Sequence, residues 1–168
     1  MLPGVGAKGR RWAVLRRYDI PDLVDRSATY LTRWRLVETP WFGVYLHAIR
    51  LPDRDPHPHD HPWPFVVVML KGGYTEEYHD GLPAAVEAVS GGGGRTRRWR
   101  AGHVRFVPTT VFHSITGLDW SPTFTLMLVG RRRHEWGYAT PSGWVHHERY
   151  RAGLVRSNLV SPSEPRSR

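Results

Sequence analysis

The run His57-Pro58-His59-Asp60-His61 sets imidazoles at alternate positions, and a fourth histidine, His113, follows far downstream behind Pro108. In an extended strand, residues i, i+2 and i+4 share one face. Three rings would then point the same way, and each neutral imidazole offers a nitrogen lone pair. Imidazole suits divalent zinc, iron, copper and nickel. Two ligands from one strand and one from a distant strand can cap one side of an ion and leave its other positions open to chemistry. The alternative for the same residues is a group of surface histidines in a proline loop.

Composition narrows the chemistry. The chain has no cysteine, which removes disulfides, iron–sulfur clusters and thiolate zinc sites. Any metal must be held by histidine and carboxylate. A length of 168 residues with 40% hydrophobic content suits one domain with its own core. No apolar run is long enough to span a bilayer, and the N-terminus lacks the apolar stretch of a secretory signal, so a cytoplasmic protein is expected. The net charge of +9 invites a nucleic-acid reading. Against it, the basic residues are scattered over Arg10 to Arg17, Arg95 to Arg105 and Arg131 to Arg133. Nucleic acid is therefore not the expected partner, although a basic face could attract an anionic substrate.

The elements that must position these histidines read as strands. Thr29 to Glu38, Trp41 to Leu51, Phe65 to Leu70 and Tyr74 to Tyr78 are rich in β-formers or alternate in polarity. Arg95 to Arg100, Gly102 to Val107, Val111 to Thr116 and Thr123 to Val129 follow at close intervals. That rhythm predicts an all-β sandwich or barrel. The proline-dense segment 52–64 excludes helix and reads as a loop that becomes an extended edge. A short helical turn is expected over Pro21 to Arg26, little order over Gly81 to Gly94, one domain over 1–150, and a polar, flexible tail over 151–168.

Two spacings resemble the motifs of the cupin superfamily, small antiparallel β-barrels of the jelly-roll type. His59-x-His61 is followed by Gly72 in register with the first motif, with Phe65 where that motif has glutamate and no glycine upstream. Gly102, Pro108 and His113 reproduce the second motif, with Thr110 in place of its second glycine and Gly117 in place of its asparagine. The resemblance implies a divalent metal in the barrel mouth held by His59, His61 and His113. The missing glutamate leaves a three-histidine set like that of the thiol dioxygenase-like cupins. A neutral ligand set leaves the ion electron-poor with an extra open position, which favours a chelating anionic substrate with dioxygen beside it.

Other residues are candidates for supporting roles, each with a plainer alternative. His57 lies on the expected histidine face but outside the motif pair, so it is a ligand, a substrate contact or a loop histidine. Tyr74 and Glu76 share a strand face and are the candidate catalytic groups. Glu76 reads as a replacement carboxylate, a proton carrier or an exposed acid, and Tyr74 as a phenol near the metal or a packed tyrosine. Arg50 and Arg105 could grip a substrate carboxylate with two parallel hydrogen bonds, and His103 is a similar candidate. Trp63 and Phe65 would wall the pocket. His47 reads as a hydrogen-bonded core residue or a support behind the ligands, and His134, His146 and His147 as surface. The leading function is an Fe(II) oxygenase acting on a small molecule. The alternatives are a non-redox zinc, nickel or manganese isomerase, cyclase or lyase, and a ligand-binding cupin without catalysis. A homodimer paired through an edge strand is expected.

Overall fold

A computed structural model describes residues 13–23 and 25–159. Eleven strands and two helices run through them: β1 Ala13–Pro21, β2 Thr29–Glu38, β3 Gly43–Ile49, β4 Phe65–Lys71, β5 Gly73–Asp80, α1 Leu82–Val89, β6 Arg95–Arg100, β7 Val104–Val107, β8 Val111–Leu118, β9 Thr123–Val129, β10 Gly137–Thr140, β11 Gly143–His146 and α2 His147–Leu159. One antiparallel sheet has the order β1-β2-β3-β9-β4-β7, a second β6-β5-β8, and a third pairs β10 with β11.

Strand alternation builds the interior. In β4, Phe65, Val67 and Met69 are buried while Val66 and Val68 turn to the other face. In β9 the buried set is Thr123, Thr125, Met127 and Val129. In β3 it includes Tyr45, His47 and Ile49. Period-two burial of this kind is what a sheet packed on one face requires. The apolar members, Tyr45, Ile49, Phe65, Val67, Met69, Met127 and Val129, meet Tyr74, Trp99, Val111 and Ile115 from the opposing sheet in one core cluster. Burying a side chain of this size stabilises the fold by roughly 1.5–3 kcal/mol.

Gly72 closes the turn between β4 and β5 at φ +79°, and a Cβ there would lie 2.6 Å from Thr123 Oγ1. Only glycine serves both the left-handed backbone and that close approach. This is the glycine whose spacing from His59 and His61 matched the first motif.

Two expectations about local structure change, over residues 21–26 and over residues 81–94. Residues 22–23 and 25–28 are not helical, and Asp22 Oδ1 accepts from the Asp25 amide at 2.7 Å. Gly81–Gly94 is not formless: α1 occupies Leu82–Val89, with proline in its first turn and Ala85 buried against Phe112 and Ala139. The segment from residue 151 continues α2 to Leu159, and residues 160–168 lie outside the described residues. Among the described residues, no helix is long and apolar enough to cross a membrane.

Candidate metal centre

The histidine run is stitched into the barrel between β8 and β10. The His59 amide donates to His113 O (3.0 Å), and the His59 carbonyl accepts the reciprocal bond from the His113 amide (2.9 Å). On the other side, Ala139 N donates to Pro58 O (2.9 Å) and Asp60 N donates to Gly137 O (3.1 Å). The run is therefore a short extended rung that joins two sheets. A residue on such a rung sends alternate side chains to opposite faces. His59 and His61 turn inward, and Asp60 turns away, where its Oδ1 accepts from Gly137 N at 2.7 Å and its Oδ2 from Trp144 Nε1 at 3.3 Å. Asp53 pins the start of the loop to β8, its Oδ2 accepting from Ile115 N at 2.7 Å.

Their ligand atoms and that of His113 lie within 4.8 Å of one another. The His59 ring stands 5.1 Å from His61 and 4.9 Å from His113, centre to centre. His61 Nε2 lies 2.8 Å from His113 Nε2. His113 is buried, while His59 and His61 keep part of their surface open to a cavity. Burial pushes His59 and His113 down to about 4 and holds His61 well below the ordinary imidazole value. The three rings are thus neutral at physiological pH, the form that binds metal.

Glu76 is the residue behind this arrangement. It is fully buried on β5. Its carboxylate accepts from Trp99 Nε1 at 2.8 Å and is ion-paired with Arg105. It also accepts a short hydrogen bond from His113 Nδ1. A carboxylate with these partners makes Nδ1 the protonated nitrogen of His113, which leaves Nε2 as a lone pair facing the other two rings. The donor set therefore fits a divalent ion: three neutral imidazoles, one tautomer fixed from behind, and a buried His59 Nδ1 with no protein partner.

The histidines line a cavity of about 410 Å³. Its walls are largely apolar, built by Ile20, Leu31, Ile49, Val67, Ile115 and Met127 with the aromatic rings of Trp63, Phe65 and Tyr74. Phe65, at the position where the motif has glutamate, stands edge-on to His61 with ring centres 4.9 Å apart. Tyr74 is buried in the wall, and desolvation raises its phenol to about 12, so it keeps its proton.

The structure gathers only some of the sequence-derived candidates. Trp63, Phe65 and Tyr74 line the cavity as anticipated. Glu76 and Arg105 do not; they form the buried ion pair behind His113. Arg50 also lies outside the lining and reaches Thr32 Oγ1 at 3.4 Å. His57 leaves the histidine face and bonds through Nδ1 to the Tyr150 hydroxyl at 2.8 Å. The alternation breaks there because the extended rung begins only at His59, after a bend at residues 56–57. His103 is exposed and caps a turn, its Nδ1 accepting from Arg100 N at 3.3 Å.

Sequence reasoning missed several wall residues. Arg33, Asp53, Asp55, Tyr138 and Arg151 all border the cavity, as does His47 from mid-β3, which the sequence marks as a core residue or a support. Asp55 Oδ2 accepts from Tyr138 Oη at 2.9 Å, while its Oδ1 is buried without a partner. Burial raises the Asp55 carboxyl above its ordinary value. Alternation along β2 was the one available signal for Arg33, whose neighbours Leu31 and Arg35 share its side of the strand. No local pattern marks Asp55.

A scan against protein-family models finds no match, and a search of curated proteins finds none. Solved structures do match. HEPD from Streptomyces albus, with substrate 2-hydroxyethylphosphonate and Fe(II) bound, superposes with a TM-score of 0.51 at 16% identity over 90% of this chain and 28% of that one. The polyketide cyclase RemF from Streptomyces resistomycificus matches at 0.49 and 16% identity over 92% and 94% of the two chains. An RmlC-like cupin from Shewanella frigidimarina matches at 0.47 and 16% identity over 71% and 86%. The chain spans about half the length (55%) of the hydroxypropylphosphonic acid epoxidase structures it also matches. The fold is a cupin-type antiparallel β-barrel, with a histidine triad inside it.

Proposed function

We propose that this chain is a metal-dependent enzyme acting on a small molecule, with a divalent ion held by His59, His61 and His113. One observation carries the reading: three neutral imidazoles converge on the wall of a largely apolar cavity, and a buried carboxylate fixes the tautomer of one of them. An enclosed apolar wall with a few convergent polar groups is the usual form of a small-molecule site. Iron(II) is the leading ion and oxygenation the leading reaction, since a three-histidine set leaves positions for both substrate and dioxygen. HEPD holds Fe(II) with its substrate on a related fold, which makes iron the first metal to test.

When bound, iron would supply redox chemistry with dioxygen, and zinc, nickel or manganese would supply Lewis-acid polarisation. The chain's own residues have separable tasks. Glu76 orients His113, Phe65 and Trp63 keep water from the histidine face, and Tyr74 presents a phenol that stays protonated. Asp55 offers a buried oxygen without a partner and a carboxyl raised by desolvation, so it can hold or release a proton nearer neutral pH than an ordinary aspartate.

Asp55 favours a second reading, a non-redox isomerase, cyclase or lyase in which it moves a proton. Elemental analysis of protein purified without added metal tests the proposal. Stoichiometric iron with substrate-dependent dioxygen uptake supports the oxygenase. Zinc, nickel or manganese with anaerobic turnover supports the second reading. No metal after reconstitution removes both. The homodimer and cytoplasmic location remain proposals, the first decided by mass in solution and the second by fractionation of the cell.

A further inference from the structure

The cavity contains one more polar feature that the metal site does not use. Arg33 on β2 pairs in register with His47 on β3, and His47 pairs with Thr125 on β9. The three residues sit side by side across adjacent strands, and all three line the cavity. They form a polar row on a wall otherwise made of Leu31, Ile49, Tyr45 and Met127.

Two members of the row, Arg33 and Thr125, have donors open to an incoming acceptor, and the third holds one of them in place. Arg33 Nε donates to His47 Nε2 at 2.9 Å. That bond makes Nε2 of His47 the lone-pair nitrogen and fixes the plane of the guanidinium. Burial beside the Arg33 charge keeps His47 neutral, so the pair does not repel. The two terminal nitrogens of Arg33 make no hydrogen bond or ion pair among the described residues. The nearby carboxylate of Glu38 is taken by Arg35 at 2.7 Å. Thr125 is 1% exposed, and its hydroxyl is buried with no partner.

A half-buried guanidinium in a largely apolar cavity without a counter-ion is costly, and a buried hydroxyl without a partner adds to that cost. Both costs are met by one kind of ligand: an oxyanion that accepts two parallel bonds from the guanidinium edge and a third from the hydroxyl. Neither acid of the cavity pairs with Arg33 among the described residues. Asp53 is bonded to Tyr30 Oη at 2.5 Å and to Ile115 N, and Asp55 to Tyr138. Arg33 and His47 both act electrostatically on His61, so the row and the histidine triad are neighbours in one cavity.

We propose that Arg33, His47 and Thr125 form an anion subsite that takes the carboxylate of an organic acid whose apolar body fills the cavity beside the histidine triad. Arg33 and Thr125 contact the carboxylate, and His47 is a positioning residue that holds the guanidinium. The substrate class of the site is then a carboxylic acid with an aliphatic or aromatic body. That this acid is a substrate rests on the function proposed above; that it binds here does not.

The test is binding by quenching of tryptophan fluorescence, since Trp63 and Trp136 line the cavity. The probes are aliphatic and aromatic carboxylates from acetate to decanoate and from benzoate to phenylbutyrate, each set beside its own primary amide. Wild-type protein is expected to bind at least one acid about tenfold or more tightly than its amide, the scale of a single charge-assisted hydrogen bond. Arg33→Gln should bind both forms alike, Arg33→Lys should keep a reduced preference, and Thr125→Val should weaken the acid several-fold without changing the amide. His113→Ala should lose metal yet keep the acid preference, which separates this subsite from the metal centre. If no acid in the series outcompetes its amide, or if a folded Arg33→Gln keeps the preference, the subsite is wrong even where metal analysis upholds the triad.

Discussion

Two groups of side chains in this barrel meet the same distance test for a metal site, and they are built differently. In one, His59, His61 and His113 converge inside the barrel; in the other, Glu135, His146 and His147 converge at the junction of β11 and α2. The inner group is placed by backbone hydrogen bonds on both sides of the histidine rung. One of its rings is locked by the buried Glu76 carboxylate. At the rim, Glu135 is about half exposed and already paired with Arg132. His146 Nδ1 accepts from Glu148 N at 3.3 Å, and the His147 ring lies flat on Trp136 with centres 4.4 Å apart. Convergence of donor atoms is common to both. The rim shares some of the rest, since the bond from Glu148 N sets the tautomer of His146 and His147 Nδ1 is buried without a partner. A buried carboxylate behind one ring and a cavity wall around the donors belong to the inner group alone.

The sharpest way to break that contrast is to remove inner ligands. His61→Ala or His113→Ala should weaken metal binding by at least about a hundredfold, more than the loss expected for an outer support. Measurement of bound metal after dialysis decides it. Full metal content in both variants would refute the triad as the binding site.

Removing the support behind the ligand comes next. Glu76→Ala strands the Arg105 charge and the Trp99 donor in a dry interior. The loss should be about 3–5 kcal/mol of folding stability, the cost of breaking a buried ion pair. Glu76→Gln keeps an acceptor but not the charge, and should weaken metal binding roughly 10–100-fold while folding better than the alanine variant. A urea titration of each variant, with and without metal, separates the two effects.

The difference between the groups also explains what could be read before the fold was known. His59, His61 and His113 were legible because a strand's period of two and the spacing of Gly72, Gly102 and Pro108 are local, one-dimensional signals. The barrel was legible for the same reason. Glu76 was visible as a face-mate of Tyr74, but its task depends on a bond to β8 and a charge from β7, which no local pattern encodes. The bulge in the β5–β8 pairing falls between Thr75 and Glu76, so strand alternation alone does not place the carboxylate. His57 failed because alternation holds only where the backbone is extended, and proline bends the chain just before His59. Helix α1 hid between glycines, although Leu82-Pro83-Ala84-Ala85-Val86 has the proline-first, alanine-rich character of a helix start. Arg33, Asp55 and Thr125 belong to the cavity only through strand order, β2-β3-β9 for two of them and a loop for the third.

Acid should distinguish the inner group by its stability signature in metal-free protein. His59 and His113 sit near 4 in the fold, against 6.5 when free. The unfolded chain therefore binds protons that the folded chain refuses. Stability present above about pH 6.5 is lost as pH falls from there toward about 4, and little more is lost to these groups below that. Urea midpoints taken across this window should fall with acid in the wild type and fall less steeply in His113→Ala. Bound metal should shift the loss to lower pH, because the ion competes with protons for the same lone pairs.

The smallest expected effect lies at the rim. Glu135→Ala removes an exposed carboxylate from the Arg132 pair and from His146, whose Nε2 is 3.6 Å away. Exposed pairs of this kind contribute about 0–1 kcal/mol, because water screens the charges and ordering two side chains offsets the attraction. Metal content should stay at the wild-type level, and the melting temperature should barely move. If bound metal instead halves in Glu135→Ala while His61→Ala retains the other half, the rim is a second centre. Donor proximity would then outrank tautomer control and burial in this barrel, and the contrast between the two groups would reverse.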